Sequence, residues 1–134
     1  MDNQWTKRSY FSFSLPNKPG ELARFAAQLR QVNIDMLGLW GYEEKQNQHR
    51  ISCVPVEPDS FREFMNAGGV EMEEGTTFHL IGDNHAGALV ETLDLIASEG
   101  INISTIECIA TGGQFGCFIW TPEKDWEALG SLLI

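Results

Sequence analysis

The sequence contains two copies of one pattern. Residues 9–55 can be laid over residues 76–122 at a fixed offset of 67 positions (84 − 17) without a gap. Identical residues then coincide at six places: Phe11 with Phe78, Asn17 with Asn84, Gly20 with Gly87, Leu22 with Leu89, Ile34 with Ile101 and Pro55 with Pro122. This spacing predicts an internal duplication, in which one structural unit occurs twice.

Each copy begins with alternating apolar and polar residues. Phe11 and Phe13 lie on either side of a serine, and Phe78 and Leu80 lie on either side of His79. A period of two predicts a strand with one buried face. Each copy therefore begins with a strand.

A polar turn follows, and the apolar period then becomes helical. The apolar positions are Leu22, Phe25, Ala26 and Leu29 in the first copy and Leu89, Leu93 and Ile96 in the second. This spacing predicts an amphipathic helix in each copy. Residues 34–42 and 101–111 are then predicted to form second strands that continue into hairpins.

The second hairpin is predicted to turn at Gly112 and Gly113, because two glycines suit the positive φ angles of a two-residue turn. That turn places Cys108 opposite Cys117. The two cysteines are either a redox-sensitive cross-strand pair or two small buried side chains in a reducing compartment, and from the sequence we favour the second interpretation.

A second helix closes each copy, starting near Pro58 and near Pro122. Val70 and Met72 then predict a short final strand, whereas the second copy stops at Ile134, where its counterpart would begin. The predicted fold is α+β, with two ferredoxin-like βαββαβ repeats and a last strand that is missing or short in the second. The predicted domains are residues 1–74 and 75–134.

These residues carry a resemblance to a known family. Each copy has a strand, then NKPGEL or DNHAGAL, then an apolar-striped helix and then VNIDM or GINI. This order of motifs resembles the ACT domain, and the two copies together cover nearly the whole chain. The second copy departs from the family's turn by having Ala86 where the first has Pro19. ACT domains are regulatory and bind amino acids or similar small ligands where two domains meet. The resemblance therefore implies a sensor and not an enzyme.

The family's ligand contacts carry over onto the turn asparagines, Asn17 and Asn84, and onto the start of the second strand, Asp35 and Asn102. A helix N-terminus offers unsatisfied N–H groups, and a glycine lets a carboxylate approach them. The candidate ligand-binding residues are Asn17, Lys18, Pro19, Gly20, Glu21, Leu22, Asp35, Asp83, Asn84, His85, Ala86, Gly87, Ala88, Leu89, Asn102 and Ile103.

Each of these features has a simpler structural interpretation. The asparagines could only cap the turn, and the glycine could only relieve crowding between helix and strand. The two sites also need not be equal, because a carboxylate at Asp35 would attract an ammonium and repel a ligand carboxylate, whereas Asn102 is neutral. Asp35 could equally be a solvated residue in a silent site.

Composition excludes several other functions. The formal net charge of −10, with nine Lys and Arg residues, argues against a nucleic-acid partner. No apolar run approaches the length of a membrane span, and the N-terminus has no signal-peptide core, so a cytoplasmic protein is expected. Three cysteines without metal-ligand spacing predict reduced thiols, no metal site and no cofactor.

Two hypotheses about function follow. The first is a free-standing amino-acid sensor that forms a homodimer and acts in trans on an enzyme or transporter. The second is a protein–protein pairing module that has the same fold and no small-molecule ligand.

Overall fold

The computed structural model describes residues 4–45 and 47–134. The strands are β1 (Gln4–Pro16), β2 (Met36–Lys45), β3 (Gln48–Pro55), β4 (Glu73–Asp83), β5 (Thr105–Thr111) and β6 (Gln114–Trp120). The helices are α1 (Glu21–Gln31), α2 (Pro58–Ala67), α3 (Val90–Ser98) and α4 (Trp126–Leu133), the last preceded by a 3₁₀ turn at Glu123–Asp125. Within the described residues, no helix is both long enough and apolar enough to cross a bilayer.

The order β-α-β-β-α occurs twice along the chain, as the α+β prediction required. The hydrogen-bonded strand order is β2-β3-β1-β4-β6-β5. Contacts divide the chain into two compact units, Ser9–Gly75 and residues 4–8 together with Thr76–Ile134, so that β1 and β4 each supply residues to both.

The unit Ser9–Gly75 has one aromatic-rich core between its sheet and its two helices. Phe11 and Phe13 alternate inward from β1, as predicted, and both are fully buried. Phe25 of α1 and Phe61 of α2 pack against them, with ring centroids 5.1 Å apart for Phe13–Phe25 and 5.0 Å for Phe11–Phe61. Both helices therefore cover the sheet face that carries Phe11 and Phe13.

The second unit, residues 4–8 with Thr76–Ile134, has its own core, formed by Phe78, Leu80, Ile96 and Leu129 among others. Trp5 of β1 belongs to the same cluster and is only 8% exposed. Its strand order is β5-β6-β4-β1. Residues 4–8 thus take the place of the final strand that the sequence left missing or short, and contacts group them with the second unit and not with the first.

The predicted short strand at Val70 and Met72 is not formed. β4 begins later, at Glu73, and continues unbroken to Asp83, whereas Val70 and Met72 pack half-buried against the core of Ser9–Gly75. Two glutamates next to them form ion pairs, and Nη2 of Arg50 lies 3.4 Å from Oε2 of Glu73. The guanidinium of Arg62 donates to both carboxylate oxygens of Glu74, at 2.7 and 2.6 Å.

The apolar stripe predicted for the first helix is confirmed at two of its four positions. Phe25 and Leu29 are buried, whereas Leu22 is 41% exposed and Ala26 is also exposed. The buried pair is spaced by four residues, so the face that α1 turns to the core is narrower than a full amphipathic stripe.

Two residues expected on a solvent face are buried. Ser12 is covered by Arg50, whose Nε donates to its Oγ at 2.8 Å. His79 stacks on Phe118, with centroids 4.2 Å apart and ring planes 4° from parallel. The sheet face opposite the helices is therefore shielded by its own long side chains.

The predicted hairpin between β5 and β6 is confirmed. Thr111 pairs with Gln114, and the two residues between them, Gly112 and Gly113, have φ values of 59° and 79°. Cys108 lies opposite Cys117, as the sequence predicted.

Candidate functional site

The first motif loop is held by two hydrogen bonds from Asn17. Its backbone N–H donates to the carbonyl of Asn47 at 2.9 Å, beside the β2–β3 hairpin. Its side-chain amide donates to Oε2 of Glu43 at 2.7 Å. Asn17 therefore fixes the end of β1 against the β2–β3 hairpin, and its amide is already engaged with a carboxylate.

Gly20 sets the entry of the chain into α1. It is the N-cap residue, its φ is 92°, and no side chain caps the helix. A Cβ added at Gly20 would meet nothing within 4 Å. The N-terminus of α1 thus combines a backbone conformation that favours glycine with open space in front of its unsatisfied N–H groups.

Charged side chains of both signs surround this helix start. The carboxylate of Glu21 lies 2.8 Å from Nη2 of Arg24 and 3.9 Å from Nζ of Lys18, and its side chain is only 12% exposed. Lys18 is 64% exposed. Glu21 already faces the positive end of the helix dipole, and both of its cationic partners are exposed, Arg24 at 66%.

The loop borders a cavity of about 400 Å³. Its lining residues are Pro16, Asn17, Lys18, Pro19, Gly20, Glu21, Leu22 and His49. The sequence predicted all of these except Pro16 and His49. His49 could have been assigned to the site from the pairing of β1 with β3. In that register His49 pairs with Leu15, at the end of β1 where the loop begins.

The second motif loop differs from the first in its helix start. The N–H of Asn84 donates to the carbonyl of Gly113 at 3.0 Å, which parallels the bond of Asn17. The helix α3, however, begins only at Val90, with Leu89 as its N-cap. Gly87 again has a positive φ, 76°, but a Cβ there would lie 3.6 Å from Cγ2 of Val90.

The remaining residues of the second loop lie in the turn that precedes α3. Nδ1 of His85 is 3.1 Å from the carbonyl oxygen of Ala86, its neighbour in the chain. Asp83, Asn84, His85, Ala86 and Gly87 are exposed, whereas Ala88 and Leu89 are half-buried and pack against the core of their unit. The second loop is therefore an extended turn, and its glycine is separated from the helix start.

The strand-start residues lie at the opposite end of each unit from the motif loop. Asp35 precedes β2, and its carbonyl accepts from the N–H of Val56, beyond the far end of β3. Glu43, which bonds Asn17, is eight residues further along β2, or about 26 Å at the rise of a strand. Asp35 is exposed and does not reach the cavity at Asn17.

The same separation holds in the second unit. Asn102 and Ile103 precede β5, next to Ser104, whose N–H donates to the carbonyl of Trp120. Asn84 bonds Gly113 at the other end of the hairpin. The seven residues of β5, about 23 Å, lie between them. Within one unit, the motif loop and the strand start do not form one pocket.

A larger cavity, of about 540 Å³, opens between α1 and α2. Phe13, Phe25 and Met65 form its floor, and Gln28 and Gln31 belong to its rim. It contains Glu21 but none of residues 17–20, and its floor consists of core side chains. This cavity is the gap between two helices: the exposed Arg24 lines it, but the open space in front of the start of α1 belongs to the loop cavity. No group of side chains suited to a metal ion occurs in the described residues.

Comparison with known proteins gives matches among solved structures. Neither the protein-family models nor the curated proteins match this sequence. Protein BT0572 from Bacteroides thetaiotaomicron is 19% identical with a TM-score of 0.81, over 96% of this chain and 88% of that one. The regulatory subunit of aspartate kinase from Thermus thermophilus is 13% identical with a TM-score of 0.64, over 98% and 93%.

A third structure resembles this chain over part of the other protein's length. Aspartokinase III of E. coli, in complex with aspartate and ADP, is 19% identical with a TM-score of 0.55, over 98% of this chain and 32% of that one. These identities are low, so the likeness bears on architecture. The chain has the α+β fold of the regulatory ACT-type domains of aspartate kinase.

Proposed function

We propose that this chain is a regulatory protein that binds a small ligand, an amino acid, at the loop Asn17–Leu22. The observation that carries the proposal is the cavity in front of the start of α1, where Gly20 leaves open space and Lys18 is exposed. Its position agrees with the resemblance to ACT domains, and the matches to aspartate kinase regulatory subunits favour the same class of function.

The loop has groups suited to the carboxylate of an amino acid. The N–H groups of the first turn of α1 and the ammonium of Lys18 are donors, and both favour an anion. Glu43 is nearby, because it accepts the amide of Asn17, and its carboxylate suits an ammonium. An α-amino acid presents both groups within a few ångströms, so the loop and the adjacent Glu43 of β2 can together attract each end of it.

Asp35 can contact a ligand at the loop only if the Asp35 comes from another ACT-type unit, whose strand start lies against this loop. The distance of about 26 Å within one unit excludes a shared contact with one small ligand. We therefore infer that a second protein copy completes the site, as in the family's sites between domains. This accounts for the proposed homodimer.

The regulated partner is proposed by analogy. The matched aspartate kinase structures include a separate regulatory subunit and an enzyme that contains the similar region in a longer chain. The complex of aspartokinase III contains aspartate, which makes an amino acid the first ligand class to test here. We propose that the ligand-bound protein acts in trans on an enzyme or a transporter.

A thermal-shift screen of the protein against the twenty amino acids tests the proposal. A ligand at 100 times its dissociation constant stabilises the folded state by about 2.7 kcal/mol, which is readily measured. At least one amino acid should raise the melting temperature. No response to any of them would contradict the sensor proposal.

A pairing module without a ligand is the second candidate, and the edge strand β2 favours it. β2 lies at the end of the strand order, and Leu37, Leu39 and Tyr42 on it are 36%, 48% and 58% exposed. Exposed apolar side chains on an edge strand suit pairing with another chain. Sedimentation that shows a dimer, together with a silent amino-acid screen, would favour this candidate.

A further inference from the structure

The β5–β6 hairpin brings two thiols together on one face of the sheet. Cys108 on β5 lies directly opposite Cys117 on β6. Cys117 is fully buried in the core of its unit, whereas Cys108 is exposed to solvent. The interpretation of two buried side chains is therefore wrong for Cys108, and an outside reagent can reach this thiol.

The register places this pair at a position that suits a disulfide. Thr111 and Gln114 close the two-residue turn as a hydrogen-bonded pair, and bonded and non-bonded pairs alternate along the hairpin. Cys108–Cys117 is the third pair after Thr111–Gln114 and is therefore a non-hydrogen-bonded pair. The Cα atoms of such a pair are about 4.5 Å apart in regular sheets. Disulfides span Cα separations of about 4.4–6.8 Å.

The two thiols also interact electrostatically. Burial raises the pKa of Cys117 to about 12, and the charge and hydrogen bonding of Cys108 add to this effect. Such an interaction requires the sulfur atoms to be close. It also makes Cys117 a poor first nucleophile, because attack needs the thiolate.

We propose that Cys108 and Cys117 are a thiol pair that low-molecular-weight disulfides oxidise to a cross-strand disulfide. The thiolate of Cys108 attacks one sulfur of the reagent RS–SR, which forms a mixed disulfide and releases one thiol, RSH. Cys117 then loses its proton, attacks the Cys108 sulfur as a thiolate and releases the second RS⁻, which takes up that proton to become RSH. Two protein thiols lose two electrons, and the reagent gains them.

The disulfide would restrain an edge strand and the tip that holds the second motif loop. β5 ends the strand order and pairs with β6 alone among the described strands. Gly113 at the tip accepts the N–H of Asn84. A covalent link three pairs from the turn would limit fraying of β5, so oxidation should slow amide hydrogen exchange in β5 and raise the melting temperature. The proposal does not depend on ligand binding.

The chain supplies a matched control in Cys53. It too is fully buried, and burial raises its pKa to about 12. Its cross-strand neighbours are Phe11 and Leu39. Cys53 therefore has the burial of Cys117 without a cysteine opposite it.

The experiment treats the folded, reduced protein with oxidised glutathione, stops the reaction with acid, alkylates free thiols after unfolding and identifies the products by mass spectrometry. The wild-type protein should lose two of its three alkylatable thiols and form an internal Cys108–Cys117 disulfide without retained glutathione. Cys117→Ala should retain glutathione on Cys108. Cys108→Ser should react at least tenfold more slowly, and Cys53→Ala should close as the wild-type protein does.

Three results would overturn the proposal. Glutathione retained on Cys108 of the wild-type protein would show that Cys117 does not resolve it. A disulfide between two chains would assign Cys108 to an intermolecular contact. Reaction of Cys53 as fast as that of Cys108 would show that unfolding, and not the folded hairpin, exposes the thiols.

Discussion

The side-chain amide of Asn17 donates to Oε2 of Glu43 at 2.7 Å and so links the loop after β1 to β2. In the strand order β3 lies between these strands, and the bond passes over its hairpin end. This exposed bond holds the loop in the conformation that borders the cavity.

Asn17→Ala should weaken amino-acid binding about tenfold and change stability little. The bond is exposed, and such interactions contribute roughly 0–1 kcal/mol to folding, whereas a misplaced loop loses ligand contacts. Urea denaturation and calorimetric titration measure the two effects on the same protein. Glu43→Gln keeps an acceptor oxygen for the amide of Asn17 and so keeps the loop in place, but it removes the carboxylate proposed for the ammonium of the ligand and should also weaken binding. Unchanged affinity in Asn17→Ala would reduce Asn17 to a turn residue.

Trp5→Ala should lower the free energy of unfolding by about 3–5 kcal/mol, the usual cost of removing a large buried aromatic side chain. Trp5 packs in the core with Phe78 and Leu80 although it lies near the start of the chain. Urea denaturation followed by circular dichroism gives the value. Lys7→Ala, an exposed change on the same strand, should stay within about 0.5 kcal/mol. A loss below about 1 kcal/mol in Trp5→Ala would contradict the placement of residues 4–8 in the second unit.

His79 should make the protein less stable in acid. Burial lowers its pKa below the ordinary value of 6.5, and the charge of Arg8 adds to the effect. The unfolded state then binds the proton more readily, so the contribution of His79 is fully present above pH 6.5 and is lost as the pH falls from there through the folded pKa.

Melting temperatures between pH 7.5 and 5 test this expectation. His79→Gln should flatten the decline below pH 6.5, whereas His85→Gln, at an exposed position, should leave it unchanged. Equal profiles for the wild-type protein and His79→Gln would assign the acid sensitivity to other groups.

Local periodicity made most of the fold predictable. The alternation at Phe11 and Phe13 identified β1, and the glycine pair fixed the register of Cys108 and Cys117. The start of β1 was not predicted because Trp5 is a lone apolar residue among polar ones, and its burial depends on strands that lie more than 70 residues away. The continuous β4 was missed because residues 70 and 72 alternate like a strand but serve to cover the core.

The site could be predicted from the sequence only where its residues are neighbours in the chain. The loop Asn17–Leu22 is one contiguous segment, and all of its residues line one cavity. The sequence also assigned Asp35 to this site, but within one unit α1 carries the chain back along the sheet before β2 begins. A strand–helix–strand unit places the end of its first strand and the start of its second strand at opposite ends of the sheet. The sequence motif contains no information on that distance.

Ligand binding at the start of α1 is tested by calorimetric titration of Gly20→Val, and the ligand is the amino acid that stabilises the wild-type protein most. Gly69→Val is the matched control, because Gly69 also has a positive φ, 68°, and open space around its missing Cβ. Both variants incur backbone strain of about 1–2 kcal/mol. Only the side chain at residue 20 would stand in front of α1.

Gly69→Val should bind the amino acid with the wild-type dissociation constant, and Gly20→Val should bind it at least tenfold more weakly. Wild-type affinity in Gly20→Val would show that the ligand does not lie at the start of α1.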